Sequence, residues 1–232
     1  MPTIREMISF HNLERQIYGR LVSLGNPITT SRSILALWMY LQFIGVDLLT
    51  YIRDCREDSV IEHFISEAGS ILQIVRAGVR PMRERLGIPY TGSMAVEQLN
   101  LRFFYFNKDA IARGMDYILD GIGTIIFNPD MNDSGGLYYN RVAPNAVDCK
   151  TLLIAFHDSV PRKEDILEFF GRRWGHCIED VTIEQTPRGV KPVYGRIVIT
   201  SEALVEAIFN NRPVLSMEIN GSTTTVRKFA PN

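Results

Sequence analysis

KPVYGRIVIT, Lys191 to Thr200, is the stretch on which the fold turns. Successive side chains of a β-strand point to opposite faces. As a strand it sets Val193, Gly195, Ile197 and Ile199 on one side and Tyr194, Arg196 and Val198 on the other. Upstream, TLLIAF reads as a short buried strand, and RKEDILEFFGRRWG as an amphipathic helix with Ile166, Leu167, Phe169 and Phe170 on its apolar side. IEDVTIEQ alternates as a strand, and PRG turns the chain into KPVYGRIVIT. Downstream, Ser201 opens the helix SEALVEAIFNN, and TTTVRKFA supplies a last strand. The order β-α-β-β-α-β within one short domain is the split βαβ layout.

The chain before this domain reads differently. Up to residue 128 it is a succession of helices, which expose several apolar stripes and must bury them as a bundle. ISFHNLERQIYGRLVSLG spaces Leu13, Ile17 and Leu21 by four. TTSRSILALWMYLQFIG begins with hydroxyl cap candidates and stops at Gly45, and VDLLTYIRDC is a short successor. Ser59 and Glu62 make a capping-box pattern for a helix with Ile61, Phe64, Ile65, Ile71 and Ile74 as core, ended by Gly78 and Pro81. Arg80 to Gly92 reads as loop. MAVEQLNLRFFYFN and KDAIARGMDYILDGIGTIIF are two further helices, the second weakened by Gly121 and Gly123 at about 1 kcal/mol each. Asn128 to Asp148 is rich in Asn, Asp, Gly and Pro without a sustained period, so a linker is expected over residues 129–149. The expected class is therefore α+β: an all-α domain over 1–128, the linker, and an α/β domain over 150–232.

Composition narrows the function classes. The 232 residues carry a net charge of -1, and the part from Lys150 onward holds 11 Lys and Arg against 10 Asp and Glu. A strongly basic footprint for phosphate neutralisation is missing. Cys55, Cys149 and Cys177 are far apart and odd in number, which fits reduced thiols of an intracellular protein, nuclear or cytoplasmic, better than a disulfide framework. The start MPTIREMISFHN has no apolar core after a basic patch, so no signal peptide is expected. The apolar run Ile34 to Leu49 is interrupted by Gln42, Gly45 and Asp47 and falls short of the ~20 residues a membrane span needs. Asn132-Asp133-Ser134 and Asn220-Gly221-Ser222 match the glycosylation triplet by chance in a protein with no secretory route.

The domain over residues 150–232 resembles an RNA recognition motif, a ferredoxin-like fold. That family carries base-stacking aromatics on a strand-one hexamer and a strand-three octamer. The hexamer falls on Leu152 to His157, with Leu153 at the aromatic position. The octamer falls on Pro192 to Ile199. Tyr194 fits an aromatic position and Gly195 the small one, whereas Arg196 replaces the second stacking aromatic and Pro192 the basic residue. The resemblance implies contact with single-stranded RNA through Tyr194, Arg196 and Leu153, with Arg188, Lys191, Arg227 and Lys228 as a basic surround. Stacking is worth about 1–3 kcal/mol per base, so the lost platforms weaken that expectation, although a guanidinium also stacks. An outward Leu-Tyr-Arg-Val patch equally suits a protein partner. The whole chain further resembles a group of plant proteins that join a helical N-terminal domain to a divergent RNA recognition motif; the phrases ILALWMYLQFIG and VYGRIVIT carry the likeness, which implies no activity.

No catalytic constellation is read. His11, His63, His157 and His176 sit in different elements without metal-ligand spacing. The adjacent His176 and Cys177 close a helix, and the Gly121-Gly123 pair follows a helix rather than a strand, against a nucleotide loop. Acylphosphatases share the strand order but need a phosphate cradle after strand one, where HDSVPRKED sets acids beside its one arginine. The expectation is a non-enzymatic protein with no cofactor and no metal, binding RNA or acting as a protein-protein adaptor. Trp38 is expected in the helical core, Trp174 at the margin of the small domain's core, and LRFFYF with more rings than one core face accommodates.

Overall fold

The computed structural model describes residues 4–81, 87–95, 99–128 and 146–229. It divides into two compact units, Met1–Gln42 with Val46–Ala143, and Phe43–Gly45 with Pro144–Asn232. Most of the expected linker lies outside the described residues; its end forms the short helix Ala146–Cys149. The chain is α+β, with helices followed by a five-stranded antiparallel sheet and its own helices.

In the helical unit the elements are α1 (Ile4–Phe10), α2 (Asn12–Ser23), α3 (Ile28–Phe43), α4 (Leu48–Asp54), α5 (Asp58–Ala77), α6 (Pro89–Ser93), α7 (Leu101–Phe106), α8 (Lys108–Asp120) and α9 (Gly123–Ile126). The expected first helix breaks at His11, and Ile17 and Leu21 are buried from α2. α3 starts at Ile28, so its hydroxyls lie inside the helix rather than at the cap, and residues from Ile34 through Leu41 are buried without interruption. A helix apolar on every side is a core helix. The Ser59 capping box does not form: α5 begins at Asp58 after Glu57. Gly78 ends that helix in the left-handed conformation, φ 65°. Ile61, Phe64, Ile71 and Ile74 are buried as expected, while Ile65 is half-buried. The loop expected up to Gly92 ends in α6, pinned where the Glu67 carboxylate accepts the Tyr90 and Thr91 main-chain N–H groups at 2.9 and 2.7 Å. Asn100 caps α7 by accepting from the Arg102 N–H at 2.9 Å. In LRFFYF, Leu101, Phe103 and Phe104 are buried and Tyr105 and Phe106 half-buried. The two weak glycines break one expected helix into α8 and α9; a Cβ on Gly123 would lie 2.8 Å from the Ile118 carbonyl oxygen and from the Phe127 ring.

Gly114 shows the same close approach in the middle of α8. A Cβ there would stand 2.4 Å from Cε2 of Tyr40, whose ring is fully buried on α3. Gly114→Ala removes a helix-interior glycine, which by propensity gains about 1 kcal/mol. Overpacking a buried ring costs about 1–3 kcal/mol. The ring has no space to yield, so the expected result is net destabilisation, read as a lowered urea midpoint for helical circular dichroism. A raised midpoint would show that Tyr40 relaxes freely.

In the second unit the strands are β1 (Thr151–Phe156), β2 (Ile178–Ile183), β3 (Tyr194–Ile199), β4 (Val214–Ile219) and β5 (Ser222–Lys228), with α11 (Lys163–Trp174) after β1 and α12 (Glu202–Phe209) after β3; Ala146–Cys149 is α10. The strand order is β2-β3-β1-β5-β4. The sequence reading expected a single last strand. The structure has a hairpin there, closed by Ile219 opposite Ser222 across Asn220-Gly221, with φ 48° and 74°. Positive φ at both central residues is what the type I′ hairpin turn requires, and Asn-Gly is its favoured pair. The triplet Asn220-Gly221-Ser222 thus marks a turn. One face of the sheet packs on α11 and α12 through Leu152, Ile154, Phe156, Ile197, Ile199 and Val226 against Ile166, Phe170, Val205 and Phe209. Leu167, expected on the apolar side of α11, is exposed. Ser201 caps α12, accepting from the Leu204 N–H at 3.3 Å.

Candidate functional site

The alternation expected for KPVYGRIVIT holds: Ile197 and Ile199 enter the core under the helices, which turns Tyr194, Arg196 and Val198 to the other face. Register sets Leu153 between Arg196 on β3 and Arg227 on β5, and Ala155 between Tyr194 and Thr225. Three of the expected contact residues, Leu153, Arg196 and Arg227, therefore form one row across three strands, with Tyr194 one step along.

The row is not solvent-facing as a stacking platform must be. Tyr194 is 1%, Leu153 3% and Arg227 1% exposed, and Arg196 is half-buried. Tyr194 and Leu153 thus lie on the outward face, as expected, but buried there. The Arg227 guanidinium donates to the main-chain carbonyl of Ile44, in the segment Phe43–Gly45 that groups with this unit and turns the chain at Ile44 and Gly45. The turn needs its glycine: Gly45 has φ 88°, and a Cβ there would lie 2.9 Å from Val214 Cγ2 and 3.1 Å from the guanidinium. Arg227 is thus occupied as a buried hydrogen-bond donor.

The expected basic surround separates as well. Lys228 follows Arg227 on β5 and so points to the helix side, where it pairs with Glu206 and lies 5.7 Å from the Phe209 ring centroid. It cannot share a face with Arg227, by the period of the strand. Arg188 and Lys191 are exposed, outside the sheet, in the connection between β2 and β3. That connection turns at Pro187 to Val190, with Gly189 at φ 83°, and is held by Glu184 accepting from the Val193 N–H at 3.0 Å. On the outer side of β2, the Asp180 carboxylate is held below the usual carboxylate range by Thr182 and Lys163.

The positions weighed for catalysis are committed to structure. Arg162, the arginine of the loop after β1, donates to the Asp165 carboxylate at 3.1 and 3.2 Å, which holds that acid down at about 2. Cys177 is buried and burial pushes its thiol up, against a reactive role, while neighbouring His176 is exposed. Trp174 is half-buried, 5.3 Å from Phe170, and packs against the core cluster. Among the described residues no group of three or more His, Cys, Asp or Glu could hold a metal ion, and no helix is long and apolar enough to cross a membrane. The reading of single residues missed two things: the burial of the row, which depends on what packs over it, and β4, for which Asn220-Gly221 between two alternating runs was an available signal.

No family model matches the chain, and comparison with curated proteins and with solved structures gives no match.

Proposed function

We propose that the chain is a non-enzymatic interaction protein, a protein-protein adaptor whose C-terminal domain is a degenerate, ferredoxin-like relative of the RNA recognition motif. The split βαβ order, with β1 between β3 and β5, supports the fold relationship. The observation that carries the functional part is the burial of Tyr194 and Leu153, the positions at which a base would stack. A ring with 1% exposure offers no face to a nucleobase, and stacking supplies about 1–3 kcal/mol per base in single-strand binders. The near-neutral charge of the domain supplies little electrostatic attraction in its place.

The test uses the exposed cations, because a buried tyrosine cannot be replaced without disturbing the fold. Fluorescence anisotropy of a randomised single-stranded RNA pool, at low and at moderate salt, is compared between the wild type and Arg188→Ala/Lys191→Ala. The expected result is no saturable binding at either salt. Salt-sensitive binding that weakens severalfold in the double variant would overturn the proposal in favour of RNA contact through the β2–β3 connection.

A further inference from the structure

Among the described residues β4 is an end strand of the sheet, paired with β5 alone. The Asn220-Gly221 turn decides which of its main-chain groups point outward. In a two-residue hairpin the residues flanking the turn, here Ile219 and Ser222, exchange both hydrogen bonds, and bonded and non-bonded pairs alternate from there. Ile219, Met217 and Leu215 therefore bond to β5, and Val214, Ser216 and Glu218 turn their N–H and C=O groups to the free edge. The phase is fixed independently from the other side of β5, where the His157 N–H donates to the Thr223 carbonyl at 3.1 Å. No main-chain hydrogen bond among the described residues uses the outward groups of β4.

The two edges of the sheet differ. β2 is blunted: its pairing with β3 shifts between Ile178 and Asp180, and its charges are tied in pairs, Lys163 to Asp180 at 3.2 Å and Lys150 to Glu179 at 3.0 Å. Bulges and charges are how natural edges avoid pairing. β4, VLSMEI, has an unbroken register, no proline or lysine, and one charge at Glu218.

We propose that β4 is a self-association edge, pairing antiparallel with β4 of a second copy so that two five-stranded sheets become one sheet of ten. A two-fold axis perpendicular to the sheet keeps every side chain on its own face. Centred on Ser216, it sets Leu215 opposite Met217 of the second copy, and Val214 opposite Glu218. Leu215 and Met217 are half-buried side chains at the margin of the core cluster, and this register completes their burial against apolar neighbours. Glu218 meets valine, not a second carboxylate, whereas a register centred on Glu218 itself would oppose like charges. That complementarity of the strand to itself selects a second copy as the occupant. Two six-residue strands cover an area at the low end of the interface scale, below about 1,200 Å², so the dimer is weak and concentration-dependent. Such a dimer forms through the sheet's edge and not its faces, independently of the adaptor reading.

Sedimentation velocity of the full chain from low to high micromolar concentration tests it, with two variants. Ser216→Pro removes an N–H that points to the free edge, a position where an edge strand tolerates proline. Ser216→Lys keeps every main-chain group and opposes two ammonium groups across the axis. The wild type is expected to approach the dimer mass as concentration rises. Both variants are expected to raise the dimer dissociation constant by about tenfold or more, with unchanged circular dichroism. Thr182→Lys, on the β2 edge, is expected to leave the dimer intact. A wild type that stays monomeric throughout overturns the proposal, as does a dimer that survives Ser216→Lys or is abolished by Thr182→Lys. Should Ser216→Pro unfold, Ser216→Lys decides alone.

Discussion

Phe170→Ala is expected to cost the second unit about 3–5 kcal/mol, the range for truncating a buried phenylalanine. The ring is fully buried among Leu152, Ile154, Ile166 and Phe209, between Phe169 at 5.6 Å and Trp174 at 5.3 Å. These neighbours belong to β1, α11 and α12, so the cavity opens where three elements meet and no one side chain can close it. Domains are stable by about 5–15 kcal/mol, so the loss is a large part of the whole. Trp174 supplies the readout: its emission should shift to the red, and the guanidinium midpoint of that signal should fall well below the wild type's. A midpoint moved by less than the equivalent of about 1 kcal/mol would mean that α11 collapses onto the sheet.

Trp38→Ala is expected to cost the helical unit a similar amount, about 3–5 kcal/mol. Trp38 is buried in the middle of α3, with buried residues on both sides of it along the helix. The chain has two tryptophans, so in this variant fluorescence reports on Trp174 alone, while helical circular dichroism follows mainly the unit that was changed. The dichroism midpoint is expected to drop. An unchanged midpoint would mean that Trp38 is not a core residue but a contact side chain, and would reopen the apolar run from Ile34 as an interaction segment.

Much of the architecture could be read from periodicity because periodicity records burial. TLLIAF, IEDVTI and YGRIVI alternate or run apolar as their faces demand, and the helices after β1 and β3 carry their apolar side chains on one stripe. Start signals did less well. Ser59 and Glu62 have the right spacing for a capping box, yet α5 starts at Asp58, two residues earlier than a Ser59 cap allows, and Glu57 at its N-cap makes no side-chain cap bond: spacing alone does not say which residue the helix starts from. Alternation also assigned Tyr194 and Leu153 to the correct face, but it says only which way a side chain points and not what lies above it. The clue available at Leu153 was its apolar character: an apolar residue on the second face of a sheet signals burial on both sides. Lys228 was misplaced by counting positive charges along TTTVRKFA without dividing them by parity.

The strand order has a mechanical meaning. β2 with β3, and β4 with β5, are hairpins whose partners lie near each other along the chain. β1 joins them, pairing Ala155 with Tyr194 on one side and Phe156 with Thr224 on the other. Hairpins close in about 1–10 μs, whereas contacts between distant residues wait for a larger loss of chain entropy. The two hairpins are thus the pieces that can assemble first, and the insertion of β1 turns them into one sheet. An isolated two-stranded hairpin is marginal in water. β1 is the keystone strand: among the five, it is the one whose withdrawal leaves nothing larger than a hairpin on either side.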